Sequence, residues 1–299
     1  MSQVSVGEVL FGWGAPTEVS LKNRIIGFIS MQRPAITVIY SFPLVISTAA
    51  LAGARFDDPR FPIGLVMVYL LMAANLVIND FVDAERDNRK WSLRPLATGL
   101  ISKTEATLYI FILAGISFAI ALAVFNWLSA AIIVLVFLAA YIYVRYTRDR
   151  IGYLTVVVCE ALIPLAVWAA ISPGTILTLV PWLLVALRGV YAVGINTANE
   201  ATDKVSVKPL FVRVTPFVEK VDYGAAVIVS LFIGILLIFY AQLSWLYLIV
   251  LVVTTAWAFT AVKRVGTQRS PEAVGKNIMT FTLSMAISLL SLAVFAWIK

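Results

Sequence analysis

The sequence predicts an all-α membrane protein, a bundle of nine transmembrane helices with a cytoplasmic N-terminus. Of its 299 residues, 61% are apolar and only 13% charged, about half the charged share of ordinary soluble domains, and the mean hydropathy is +0.95. The apolar residues gather in nine runs near the length of about 20 that carries a helix across a hydrocarbon core. These runs are continuous rather than short and alternating, and lipid cannot satisfy open backbone groups, so they read as helices and not strands.

The runs follow in order. Met1–Lys22 is polar and mixed, without the basic start, short apolar core and cleavage site of a signal peptide, so no cleavage is expected. The first run, 25–51, carries Pro34 and Pro43; the second is 62–81 and the third 106–125, with Arg86, Arg89, Lys90, Arg94 and Lys103 between them. The fourth, 127–145, leads to Arg145, Arg148 and Arg150. The fifth, 152–171, and sixth, 176–195, contain Pro164 and Pro181 and lead to Lys204, Lys208, Arg213 and Lys220. After the seventh, 224–241, and eighth, 243–262, come Lys263, Arg264, Arg269 and Lys276, and 279–298 closes the series. Bundles tolerate such prolines as kinks. The opposite loops carry only Arg55 and Arg60. By the positive-inside rule the rich loops are cytoplasmic, and nine crossings then put the C-terminus outside. The net charge of +7 follows from this topology and suits anionic lipid; nucleic acid is not needed to explain it. One domain, 1–299, is enough.

Composition also bounds the chemistry. A single cysteine, Cys159, excludes an internal disulfide and a cysteine-built metal site, and the absence of histidine removes haem ligation, histidine triads and imidazole acid–base work. Carboxylates, amides, cations and bound metal remain. The end of the second run supplies them: Asn75, Asn79, Asp83 and Asp87 recur at four-residue steps, which stacks them on one helical face. Hard oxygen ligands of this kind suit magnesium, which binds one or two carboxylates together with substrate phosphates. A charged helix end can also be a solvated cap, but like charges at this spacing repel unless a cation sits among them.

Asn79-Asp80-Phe81-Val82-Asp83-Ala84-Glu85-Arg86-Asp87 resembles the N-D-x-x-D-x-x-x-D signature of the UbiA superfamily of intramembrane prenyltransferases, and Arg94-Pro95-Leu96-Ala97-Thr98-Gly99 resembles the R-P-L/I-x-x-G that follows it. The resemblance implies an integral multi-pass protein of the cell membrane with its active site toward the cytoplasm. It implies that a polyprenyl diphosphate ionises and its allylic carbon passes to a lipophilic acceptor, a lipid or a quinone or aromatic precursor. Two magnesium ions would be held by Asn79, Asp83 and Asp87, with Asp80, and by a second acidic stripe after the sixth run. There the chain has Asn196 with Glu200 and Asn199 with Asp203 in place of the family's more common D-x-x-x-D, so amides replace one carboxylate of either pair. This departure implies weaker or shifted binding of the second metal, with Asn199 and Asp203 first among the ligands.

Cations complete the expected site. Lys90, Arg94, Arg145, Arg148, Lys208 and Arg213 lie in the same cytoplasmic loops and could clamp the diphosphate, Arg by its planar fork and Lys as a point charge, although topology alone also predicts basic loops. Gln32-Arg33-Pro34, placed at the start of the first helix, resembles the family's early arginine–proline step, and Tyr146 with Arg145 and Arg148 resembles its fourth-helix end. Arg33, Asn75, Tyr146 and Arg188 are expected around the substrate pocket. Glu160 and Arg188 lie within apolar runs, where each charge costs about 2.5–3.5 kcal/mol at a helix centre and is functional by default. They can pair with each other; Glu160 then either orients or deprotonates the acceptor or forms a structural pair.

A transporter would also show intramembrane charges and broken helices, but here the acidic groups sit at helix ends on one side, not at an inverted pair near the midplane. A lapsed family member acting as a scaffold is the third reading. Six residues separate Asp87 from Arg94. That linker resembles those of archaeal digeranylgeranylglyceryl phosphate synthases and of chlorophyll or homogentisate prenyltransferases more than the longer one of 4-hydroxybenzoate enzymes.

Overall fold

The structure, a computed structural model, describes residues 4–12, 14–16, 18–90, 94–142, 154–200, 216–265 and 271–298; within these, the side chains at 83, 85–90, 154–156, 196–200, 216–219, 271, 272 and 274 are left aside. Among the described residues all regular secondary structure is helical. Contacts group the chain into two compact units, Met1–Phe42 with Pro62–Val124, and Pro43–Phe61 with Phe125–Lys299.

The first unit opens with α1 (Val6–Phe11), whose N-terminus is closed by a capping box: Ser5 accepts from the Glu8 amide and the Glu8 carboxylate accepts from Ser5. Those bonds hold the Glu8 carboxyl below its usual range. Helix α2 (Leu21–Gln32) starts at Ser20, whose hydroxyl accepts from the Asn23 amide at 3.1 Å. It stops because Pro34 has no amide to donate and disfavours helical backbone at the residue before it; Arg33 instead takes a left-handed conformation, φ 47°, and α3 (Pro34–Leu51) begins at once. Helix α4 (Arg60–Lys90) has 31 residues, about 46 Å at 1.5 Å per residue. That exceeds a hydrocarbon core of about 30 Å, so its polar last turns extend past the apolar part. Helix α5 (Lys103–Ile120) has its own Ser102–Glu105 capping box and ends in a π turn, Ala121–Phe125. Ser117 donates to the Met67 carbonyl at 2.9 Å and ties α5 to α4.

In the second unit, Asn126 caps α6 (Trp127–Ile142) by accepting from the Ser129 amide, and its own amide donates to the Ala169 carbonyl at 2.7 Å. Helices α7 (Leu154–Ala161) and α8 (Ile163–Ile171) divide the fifth apolar run where Pro164 removes a donor. Residues Ile163–Ala170 of α8 are all buried, and the helix lies against α6 and α9 (Leu179–Glu200). Helix α9 also packs on α7, on α10 (Pro216–Tyr240) and on α12 (Pro271–Ile298), while α11 (Leu246–Arg264) lies against α10 and α12. Phe281 of α12 sits between Tyr191 and Tyr223, with ring centroids at 5.4 and 4.8 Å. In the loop before α4, Arg60 donates to Asp58, whose carboxyl is pulled down to about 2, first by that side-chain bond and then by the Arg60 backbone amide.

Among the described residues six segments are long and apolar enough to cross a membrane: Leu21–Leu51, Arg60–Val82, Lys103–Phe125, Lys220–Tyr240, Leu246–Arg264 and Gly275–Ile298. The other three expected runs are helical too, but the described apolar helices there, Trp127–Ile142, Val157–Ile171 and Leu179–Ile195, are shorter. Large apolar side chains such as Phe111, Phe232, Ile249 and Val253 are exposed, as a lipid-facing surface requires.

Candidate active site

Helix α4 stays regular through the first motif, so its register is set by about 100° per residue. Asn75 and Asn79 lie on one face, half-buried, and the backbone carries that face on to the Asp83 and Asp87 positions. Asp80 is not part of it. One residue on from Asn79, it shares a neighbouring, inward face with Ala73, Val77 and Ala84, all buried, and is itself 3% exposed. The amide nitrogen of Asn75 has no hydrogen-bond partner among the described residues. Amide and carboxylate oxygens on the Asn79 face are the donor set that a hard cation takes, so the residue types fit magnesium. Among the described side chains no three carboxylates or thiols gather around a cation position; the Asp83, Asp87 and Lys90 side chains are outside the described set.

The buried Asp80 collects two arginines from distant parts of the chain. Its Oδ1 accepts from Nη2 of Arg33, at the α2–α3 break, and from Nη1 of Arg94 at 3.2 Å. Arg33 thus lies in the interior of the first spanning segment, after the 12 residues of α2, and not at its start as the sequence suggested. A left-handed non-glycine residue costs about 1–2 kcal/mol, and its surroundings hold it there. Next to it, Gln32 accepts from Tyr69 of α4 at 2.8 Å and donates to Tyr109 of α5. The Arg33 stem lies against Gly12, itself at φ 70°, where a Cβ would come within 2.3 Å of Arg33 Cγ. Ser30 donates to the Gly14 carbonyl at 2.9 Å, so the segment after α1 is fastened beside Arg33.

Arg94 is fixed by its own turn. Thr98 donates its amide to the Arg94 carbonyl at 2.9 Å and its hydroxyl to Pro95 at 3.1 Å, and Ile101 donates to Pro95 at 3.2 Å. Gly99 turns the chain at φ 75°, where a side chain would be strained. The R-P-L-x-x-G pattern is therefore a compact turn that presents an arginine to Asp80.

In the second unit, Glu160 of α7 and the fully buried Arg188 of α9 pair at 3.2 Å, as their placement in the apolar runs suggested. Asn196, Asn199 and Glu200 fall on the last turns of α9, their side chains outside the described set. Arg145, Tyr146, Arg148, Asp203, Lys208 and Arg213 lie outside the described residues. Sequence reasoning missed Gly12, Tyr69 and Tyr109. The first is a glycine in a polar leader, and the tyrosines read as ordinary interfacial aromatics until Gln32 is seen between them.

A model of the UbiA prenyltransferase family matches residues 40–290. The chain belongs to this family. The match runs through both units and makes this UbiA protein an integral, multi-pass membrane protein. Curated relatives include the 4-hydroxybenzoate octaprenyltransferase of Vibrio atlanticus, 28% identical over 224 residues that cover 72% of this chain and 77% of the relative. That of Yersinia enterocolitica is 30% identical over 164 residues, 52% of this chain and 54% of the relative, so that alignment spans about half the relative's length. Among solved structures, a digeranylgeranylglyceryl phosphate synthase superposes with a TM-score of 0.66 at 19% identity, covering 92% of this chain and 99% of the other. A UbiA homologue from Archaeoglobus fulgidus bound to DMAPP and Mg2+ gives 0.61 at 18% identity, covering 88% and 99%. At these identities the superpositions establish a shared fold.

Proposed function

We propose that this UbiA-family protein transfers a prenyl group from a polyprenyl diphosphate to a lipophilic acceptor within the membrane, with magnesium. The observation that carries the reading is the convergence of Arg33 and Arg94 on Asp80, beside the oxygen-bearing face of the same helix. Planar guanidiniums held in fixed orientation suit a diphosphate, whose oxygens each fork can bind in pairs. The Asn75 amide adds a donor on the Asn79 face.

Asn79, Asp83 and Asp87 would hold one magnesium, and Asn199 and Asp203, with Asn196 and Glu200, a second. When bound, the metal supplies positive charge to the leaving diphosphate. The carbon–oxygen bond of the donor breaks, its electron pair leaves with the diphosphate, and the acceptor's electron pair closes on the allylic carbon while the acceptor's proton passes to the released diphosphate. Arg33 and Arg94 stabilise the negative charge that grows on the departing group, with Lys90, Arg145, Arg148, Lys208 and Arg213 as further contributors. The apolar helices keep water from the allylic cation before the acceptor reaches it. Glu160 we assign to holding Arg188 in place. The wider frame is a single transmembrane domain of nine crossings in the cell membrane, N-terminus and site on the cytoplasmic side.

Two acceptor classes have support. The curated relatives are named for 4-hydroxybenzoate, whereas the six-residue linker between Asp87 and Arg94 resembles those of glyceryl phosphate enzymes. The purified protein, given geranylgeranyl or farnesyl diphosphate with Mg2+ and either a glyceryl phosphate lipid or 4-hydroxybenzoate, should yield a prenylated product by mass spectrometry with one of the two. Diphosphate consumption with neither acceptor modified counts against prenyl transfer.

A further inference from the structure

We propose that Asp80 is a positioning residue for the donor's diphosphate and not a metal ligand: it sets the two arginines, and the neighbouring Asn79 face of α4 is left to the metal. The inference rests on the transferase reading above and divides the acidic motif by helix face. Asp80 is adjacent in sequence to Asn79, yet the rotation of one residue turns it by about 100°, onto the face where Ala73, Val77 and Ala84 are buried. Its Oδ1 already accepts from two guanidiniums. A magnesium ion demands near-octahedral oxygen geometry and keeps several waters, which a carboxylate oxygen enclosed between two cations does not offer.

The surroundings show that the arrangement is specified. Arg33 holds a left-handed backbone, a conformation that persists only where neighbours over-determine it. Those neighbours are visible: Gly12 against its stem, Gln32 tied to Tyr69 and Tyr109, and Pro34 on its other side. Arg94 is carried by a turn closed at Gly99. Two separate parts of the chain are thus shaped to bring a guanidinium to one carboxylate. Asp80 fixes the distance between the two forks, and with it the spacing of the phosphate oxygens they can take.

Three measurements on full-length protein in detergent test this. Manganese binding followed by electron paramagnetic resonance reads the metal directly, calorimetry with inorganic pyrophosphate reads the anion site, and a Mg2+ titration of turnover separates donor KM from metal demand. Asp80→Asn should keep Mn2+ affinity within about twofold of wild type and weaken pyrophosphate binding about tenfold, with a matching rise in donor KM. Asp83→Asn should lose Mn2+ affinity by at least about tenfold. Equal loss of Mn2+ affinity in the two variants overturns the proposal. So does an Asp80→Asn protein that melts lower but binds pyrophosphate as wild type does, since that is a packing role alone. If Asp80→Asn does not fold, Arg33→Gln carries the same test, because it should reproduce the pyrophosphate defect with Mn2+ binding intact; an unchanged pyrophosphate affinity there overturns the assignment. A wild-type protein that binds Mn2+ and pyrophosphate as expected but turns over no allylic diphosphate sinks the transferase reading and leaves the division of α4 by face standing.

Discussion

The two buried ionic clusters among the described residues are built on different kinds of backbone. Glu160 and Arg188 meet across α7 and α9 from regular helical positions. Arg33 and Arg94 reach Asp80 from a left-handed break and from a tight turn. Pairing two charges inside a bundle needs no departure from helix, as the first cluster demonstrates. Breaking the chain twice to bring arginines to one carboxylate is a positional demand, and positional demands belong to substrate binding. On the proposed reading the first cluster holds helices together and the second holds a ligand.

The largest expected effect separates these roles. Arg188→Leu removes the cation paired with the buried-side Glu160 carboxylate and should cost about 3–5 kcal/mol of stability, read as a fall in melting temperature, with much of it recovered in the Arg188→Leu/Glu160→Gln double variant. Folded Glu160→Gln should keep its specific activity; loss of turnover without loss of fold moves Glu160 into acceptor chemistry and dissolves the contrast. Arg33→Lys keeps the charge and removes the planar fork. Donor KM should rise about tenfold, roughly 1.4 kcal/mol, with melting nearly unchanged. Gly12→Ala forces a side chain onto a backbone at φ 70° and into the Arg33 stem. A loss of about 1–2 kcal/mol is expected, with a few-fold rise in donor KM; a stability loss with donor KM unchanged uncouples the leading segment from the site.

The smallest effect belongs to the pair of half-buried Asp58 and exposed Arg60 in the loop before α4, a control for both clusters. Its carboxyl sits at about 2 against an ordinary 3.8. A depressed carboxylate stabilises above its unfolded pKa, so that contribution is complete above about pH 4 and fades as pH falls toward 2. Asp58→Asn should leave neutral-pH melting and activity unchanged within scatter. A marked drop at pH 7 gives this pair a weight that its solvent-accessible Arg60 does not predict.

Much of this was legible in the sequence because membrane constraints are severe. Apolar runs of fixed length specified helices, and the four-residue spacing of Asn75, Asn79, Asp83 and Asp87 specified their common face. The same periodicity excluded Asp80 from that face, although its place in the motif had it among the metal ligands. Pro34 announced a discontinuity, but not that Arg33 would adopt a left-handed conformation or reach Asp80, because the partner lies 47 residues away in sequence. The fifth run was read as one helix, and Pro164 divides it into α7 and α8. Gly12 carried no signal, since only the packed Arg33 stem reveals the need for a residue without a side chain. The linker after Asp87 resembles glyceryl phosphate enzymes, while the curated relatives are named as hydroxybenzoate enzymes, so one short segment and the wider similarity point to different acceptors.

In the proposed reaction the Asn79, Asp83 and Asp87 face of α4 carries the metal that drives diphosphate departure. Pyrophosphate release from geranylgeranyl diphosphate by purified protein, measured across a Mg2+ titration for wild type and Asp83→Ala, tests it most directly. Release that requires Mg2+ and falls by at least about a hundredfold in the variant is the predicted result. Release that proceeds without Mg2+, or that Asp83→Ala leaves intact, contradicts it.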